Sequence, residues 1–149
     1  MELRETLASV LAGKRREVWS IPPQATVFNA IALMAEKSVG ALLVMSGDQL
    51  EGIISERDYA RKVVLLDKSS RTTQVKEIMS KAVFTVTPDH TISDCMQIMT
   101  QQRIRHLPVV EAGRVAGIVT IGDLVKWLAS KQAETIEHLQ AYISGSYPA

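Results

Sequence analysis

Shifting the chain by 65 residues aligns positions 19–60 with 84–125 without a gap. Eight of the 42 pairs are identical: Pro23/Pro88, Thr26/Thr91, Met34/Met99, Leu42/Leu107, Val44/Val109, Gly52/Gly117, Ile53/Ile118 and Asp58/Asp123. Average amino-acid usage would give about two or three. Further pairs match in character, among them Ile21/Val86, Val27/Ile92, Leu33/Ile98, Val39/Ile104, Ile54/Val119 and Ser55/Thr120. The chain must therefore use one structural unit twice. Its 149 residues suffice for one core, or for two half-sized units that share one.

Each copy spells the same elements in the same order. A short strand at 18–21 or 83–86 runs into a Pro-containing turn, "PPQAT" or "TPDHT". Thr26 and Thr91 stand at N-cap positions, and Asp94 completes a capping box with Thr91. Apolar residues follow at helical spacing: Val27, Ala30, Ile31, Met34 and Ile92, Cys95, Met96, Met99. The runs "ALLVM" and "HLPVV", the turns "SGDQ" and "EAGR" and the runs "LEGIIS" and "VAGIVT" predict hairpins. A second helix begins near Glu56 or Ile121. The expected fold class is α+β: two β-α-β-β-α units side by side, since three strands under two helices bury only one face alone. Between them "LDKSSRTTQ" is polar and unperiodic, a surface linker, and "VKEIMS" predicts a short helical turn.

The totals exclude several classes. Lys plus Arg is 17 against 16 for Asp plus Glu, so no global field recruits nucleic acid or an anionic membrane. The single cysteine, Cys95, rules out an intrachain disulfide framework and a Cys-rich zinc site. Neither a secretory-signal layout nor an apolar run of roughly 20 residues is found, and the expected location is cytoplasmic.

The order of elements, with "GIISERD" and "GIVTIGD" at the strand-to-helix junctions and "RIRHLPVV" on the middle strand, resembles a tandem pair of CBS domains. The resemblance spans about 18–128 and implies a pseudo-twofold pair, a Bateman module, with two clefts between its repeats. It implies an adenosine-containing ligand: AMP first, NAD/NADH or ATP next, with ADP and S-adenosylmethionine in the same class. A homodimer is also implied. Carried over from the family, Asp58 and Asp123 hold ribose, while Ser55 and Thr120 touch phosphate. Adenine rests against Val18, Trp19, Ser20 and Ile21 and against Ala82, Val83, Phe84 and Thr85. Val39, Gly40, Ala41, Ile104, Arg105, His106 and Pro108 line the far walls. The expected segments are an N-terminal helix at 1–17, a first repeat at 18–66, a linker at 67–77, a second repeat at 78–129, and a C-terminal helix and tail at 130–149.

The residues themselves support that site. A hydroxyl residue followed three positions later by Asp places free N–H groups and a carboxylate at a helix start. The carboxylate oxygens suit the two hydroxyls of a ribose, and Gly52 and Gly117 would let backbone approach closely. The same Ser/Thr–Asp pairs are also ordinary helix caps, and both roles can coexist. The copies differ between hydroxyl and Asp: Glu56 and Arg57 in the first, Ile121 and Gly122 in the second. Arg57 can pair bidentately with phosphate, and Arg105 and His106 are expected to face the same anion, making the Asp58 cleft the anion-rich one. Surface pairing of Arg57 with Glu56 or Asp58, a solvated Arg103 at a helix end and a structural His106 are the alternatives. Trp19 and Phe84 are expected in core or interface packing rather than stacked on adenine.

Outside the repeat, Leu3, Leu7, Val10 and Leu11 form one helical stripe ending near Gly13, and Ile136, Leu139, Gln140 and Ile143 form another ending at Gly145. The chain contains no phosphate-loop or G-x-G-x-x-G pattern, and its three His lack metal-ligand spacing. The expectation is a stand-alone, non-enzymatic regulatory module that signals to an unknown target protein. The rival is a partner-docking dimer with empty clefts.

Overall fold

The computed structural model describes the backbone of residues 5–13, 17–81 and 83–143, with side chains described through residue 134. The first repeat comprises β1 (Ser20–Ile21), α2 (Val27–Lys37), β2 (Ala41–Ser46), β3 (Gln49–Ser55) and α3 (Glu56–Tyr59). A π-helical turn, Ala60–Val64, extends α3. The second repeat comprises α5 (Ile92–Gln102), β4 (His106–Glu111), β5 (Arg114–Thr120) and α6 (Ile121–Ile143). α1 (Leu7–Ala12) and α4 (Val75–Ile78) precede the respective repeats.

The caps form as the sequence predicts. Thr26 Oγ1 accepts from Asn29 N–H at 3.1 Å. Thr91 and Asp94 close a reciprocal box, at 3.0 Å to Thr91 Oγ1 and 3.1 Å to Asp94 Oδ2. The Thr91 backbone N–H and hydroxyl bond the Asp94 carboxylate and hold it below the usual range. This stabilisation is present at neutral pH and fades as acid protonates the carboxylate. α2 and α5 end alike, on Ser38 and Arg103 at φ 55°. Val39 and Ile104 then donate N–H to Met34 and Met99 carbonyls, both at 3.0 Å, and the left-handed residue satisfies the helix end.

The hairpins β2–β3 and β4–β5 share one register, each with its bulge at the same place, between Val44 and Met45 or Val109 and Val110. The repeats differ at their first strands. β1 pairs in parallel with β2, and Leu43 N–H donates to the Trp19 carbonyl at 3.2 Å. In the second repeat the expected strand at 83–86 is reduced to one bridge, Val86 to Val109. The position equivalent to Leu43 is Pro108, which has no N–H to offer the Phe84 carbonyl, so the ladder stops at Val86.

The segments outside the aligned repeat obey the same symmetry, at an offset of 68 rather than 65. Val75 and Lys76 N–H donate to the Ala25 and Pro23 carbonyls, and Val27 N–H donates to the Thr73 carbonyl. Leu7 and Ala8 N–H donate to the His90 and Pro88 carbonyls, and Ile92 N–H donates to the Glu5 carbonyl. Each leading segment thus docks on the repeat it does not precede. Leu7, Val10 and Leu11 join the second core with Ile92, Cys95, Leu107 and Val119. Val75 and Ile78 join the first with Val27, Met34, Leu42 and Ile54. The supposed surface linker is partly structural, because Thr73 is buried and its hydroxyl donates to the Ser69 carbonyl at 2.7 Å. The helix expected near Ile121 and the C-terminal helix are one continuous α6. Leu3 and Gly145 lie outside the described residues, as do the side chains of Ile136, Leu139, Gln140 and Ile143.

The close backbone approach expected at the paired glycines is met at Gly52, where it serves this docking, and not at Gly117. A Cβ on Gly52 would sit 2.7 Å from the Ser80 carbonyl oxygen and 2.9 Å from Met79 Sδ. At Gly117 it would meet only Leu11 Cδ2, at 3.7 Å. Gly52→Ala is therefore expected to cost about 1–3 kcal/mol in urea unfolding, and Gly117→Ala less than about 1 kcal/mol. Equal losses would contradict the packing described.

Candidate functional site

Both Gly-apolar-apolar-hydroxyl stretches end a β-strand and open a helix. Ser55, the last residue of β3, caps α3: Asp58 N–H donates to Ser55 Oγ at 3.2 Å. Ser55 N–H and Oγ–H donate to Asp58 Oδ2 at 2.9 and 3.1 Å. Thr120 and Asp123 repeat the reciprocal box at 3.0 Å to Thr120 Oγ1 and 2.9 Å to Asp123 Oδ2. The cap thus uses Oδ2 in each repeat. Asp58 Oδ1 lies 3.1 Å from Lys62 Nζ, a partner that sequence reading missed although an i,i+4 spacing announces it.

The entry to each middle strand is tied to the helix start of its own repeat. Glu56 N–H donates to the Gly40 carbonyl and Ile121 N–H to the Arg105 carbonyl, both at 3.0 Å. The α3 start also reaches the second repeat. Arg57 Nη1 donates to the Arg103 carbonyl at 3.3 Å, rather than pairing with Glu56 or Asp58. Glu56 Oε1 and the His106 ring both lie within 4 Å of where a Gly40 Cβ would be. Residues 40 and 56 thus face 103 and 106 across the boundary between repeats.

The remaining expected site residues are scattered in exposure. Val18, Trp19, Val39, Val83 and Ile104 are half-buried, Ser20, Thr85 and Arg105 are exposed, and Ile21, Ala41 and Pro108 are buried. Ala82 lies outside the described residues. Trp19 packs against the first core, with Lys37 Nζ 4.3 Å from its ring centroid. Phe84, expected to pack equivalently, is 42% exposed because no strand ladder holds it down. Gly122 has open space apart from Thr120 Oγ1, at 3.6 Å from a built Cβ. Arg103 is the exposed C-cap residue of α5.

Among the described residues, no group of three or more His, Cys, Asp or Glu is placed to hold a metal ion. Among them, too, no helix is long and apolar enough to cross a membrane.

A family model described as "CBS domain" matches residues 11–65 and 75–130, and the chain belongs to the CBS-domain family as a tandem pair. It is 42% identical over 127 residues to the Arabidopsis thaliana CBS domain-containing protein CBSX3, mitochondrial, covering 82% of this chain but 62% of that protein. A protein with CBS domains from Burkholderia ambifaria MC40-6, assigned provisionally to signal transduction, superposes with a TM-score of 0.83 at 47% identity, covering 85% of this chain and 96% of that one. The CBS domain pair of protein MJ0100, solved with 5'-methylthioadenosine and S-adenosyl-L-methionine, superposes at 0.75 with 23% identity over 85% and 97% of the chains, a likeness of fold. CBS pairs are in general regulatory, non-catalytic modules, and the mitochondrial name of the Arabidopsis relative leaves the cytoplasmic expectation unsupported.

Cys95, the one thiol, is fully buried in the second core. Burial, with the Asp94 charge adding, pushes its thiol up to about 11. The native state holds the neutral thiol, so stability falls as pH rises from about 9, where the unfolded thiol ionises, toward about 11. The native protein is expected to resist a thiol-labelling disulfide reagent at pH 8 and to label fully only in denaturant. Rapid native labelling would contradict the burial described for Cys95.

Proposed function

We propose that the chain is a regulatory module that binds an adenosine-containing ligand between its repeats and signals through a change in shape or in a dimer contact. AMP is the first candidate, with NAD, NADH or ATP next in the same class. The observation that carries this reading is the pair of carboxylates, Asp58 and Asp123, held at equivalent helix starts. In each the cap engages Oδ2, and a carboxylate, with about four lone-pair sites, accepts more than one donor at a time. The MJ0100 pair, with its adenosyl compounds, supports the ligand class at the level of fold.

The first cleft is proposed as the stronger phosphate site. Arg57 reaches across the repeat boundary there, and His106 stands beside Gly40 and Glu56, whereas Gly122 occupies Arg57's place in the second repeat. A fixed guanidinium near a helix start suits a phosphate better than a glycine does. A homodimer and a regulated target protein belong to the same proposal. The exposed Val64, Leu65 and Leu66 after α3 are the apolar surface such contacts would cover. The rival reading, a docking dimer with empty clefts, rests on those same residues.

Titration calorimetry with AMP, ATP, NAD and NADH tests the proposal. AMP binding is expected to weaken at least about tenfold in Asp58→Asn and less in Asp123→Asn, a loss of about 1.4 kcal/mol or more in the first. Equal losses would remove the asymmetry. Silence with every adenosine compound, and no nucleotide co-purifying, would leave the docking reading in its place.

A further inference from the structure

The Asp58 carboxylate is tied to an element outside its own repeat. Lys62 Nζ lies 3.1 Å from Asp58 Oδ1 and donates to the Ile78 carbonyl at 2.8 Å. Ile78 is the last residue of α4, the segment that precedes the second repeat yet is docked on the first. The next residues form the close approach at Gly52. Ser80 N–H donates to the Ile53 carbonyl at 2.9 Å, and Ile53 N–H returns to the Ser80 carbonyl at 3.1 Å. One ammonium therefore joins the proposed ribose ligand to the junction between repeats.

This tie depends on a local change of helix geometry. Residues Ala60–Val64 are wound as a π-helical turn, with Leu65 N–H donating to the Ala60 carbonyl at 3.1 Å, whereas the equivalent stretch of α6 is regular α-helix. Widened turns of this kind are rare and commonly mark functional positions. The turn puts Val63 into the first core and leaves Lys62 half-exposed between Asp58 and Ile78. In the second repeat the position equivalent to Lys62 is Trp127, whose ring packs against the second core under Lys131, 5.5 Å from the centroid. An indole cannot grip a carboxylate and a carbonyl at once, so the repeats differ in kind here.

We propose that Lys62 is a positioning residue that couples occupancy of the first cleft to the α4 junction. The proposal rests on the reading of Asp58 as a ribose ligand. Ribose hydroxyls donating to Asp58 Oδ1 compete with Lys62, and a phosphate nearby draws the ammonium further. The Ile78 carbonyl then loses its charge-assisted bond, and the end of α4 loosens against β3. Binding at one cleft thereby becomes a change in how the two repeats are joined.

Hydrogen–deuterium exchange over residues 75–80 of the intact chain tests this, with AMP as the probe and calorimetry on the same samples. In the wild type, saturating AMP is expected to speed exchange of the Met79 and Ser80 amides at least about threefold. In Lys62→Met those amides exchange at the faster rate without AMP, AMP adds nothing to it, and AMP still binds. Lys62→Arg restores the ligand response, while the amides bonded within the β2–β3 ladder, which exclude Ile53, stay protected in every sample and report an intact fold. Bound AMP with unchanged exchange at 75–80, or a Lys62→Met response equal to wild type, overturns the coupling and leaves the sensor reading standing. Absence of AMP binding to the wild type overturns the sensor reading, and the coupling with it.

Discussion

The structure depends on an exchange of packing between its halves. The strand of hydrogen bonds from 5–8 onto 88–92 and the matching one from 73–76 onto 23–27 place each leading segment on the other repeat. Leu7, Val10 and Leu11 complete one core and Val75 and Ile78 the other, so neither repeat closes its hydrophobic face alone. Burying a leucine-sized side chain contributes roughly 1.5–3 kcal/mol. Several such residues on each side make the two halves one cooperative body. The space between the repeats is thereby held by buried apolar contacts and paired backbone.

Much of this was legible before any coordinates, because the repeat writes its chemistry twice. Thr26, Thr91 and Asp94 gave away their helix starts, since cap chemistry is local and needs only residues three apart. The hairpins were legible because alternating apolar runs flank short turns. Pro108 was read as a wall of the cleft, yet its larger effect is the missing N–H that ends a strand, visible only once Leu43 is seen donating at the equivalent place. Gly52 announces a close approach without saying to what, and the partner, Ser80, lies 28 positions away. The exchanged segments escaped notice because their symmetry runs at a different offset from that of the repeat. The candidate site was half legible. Ser55, Asp58, Thr120 and Asp123 pair as the spacing says, but Arg57's carbonyl partner and Lys62's second one are long-range facts.

The caps show how one pair of residues would serve both a stable junction and the proposed site. A carboxylate that stabilises a helix start through one oxygen is held in orientation, so a further donor meets it at little added cost in side-chain entropy. A ligand meeting such a group finds an acceptor already aimed. The structural role and the binding role are two uses of one restraint, so the presence of the cap counts as preorganisation rather than against binding.

Duplication gives two equivalent frames, and divergence decides what each frame does. The first repeat keeps its outer strand paired, packs Trp19 beneath Lys37, and directs Arg57 and Lys62 to carbonyls at the ends of α5 and α4. The second loses a ladder bond at Pro108, leaves Phe84 exposed and puts Gly122 and Trp127 where the two cations would stand. A cation resting on a helix-end carbonyl is favourably placed by the dipole but exchanges readily for a stronger anion. Two such cations flank Asp58, and the elements they hold belong to the junction and to the facing repeat. On the proposed reading an anion entering there would disturb contacts between halves, whereas at Gly122 it would meet neither of the two cations. In a body held together by exchanged segments, that difference in side chains is where the two proposed clefts part in kind.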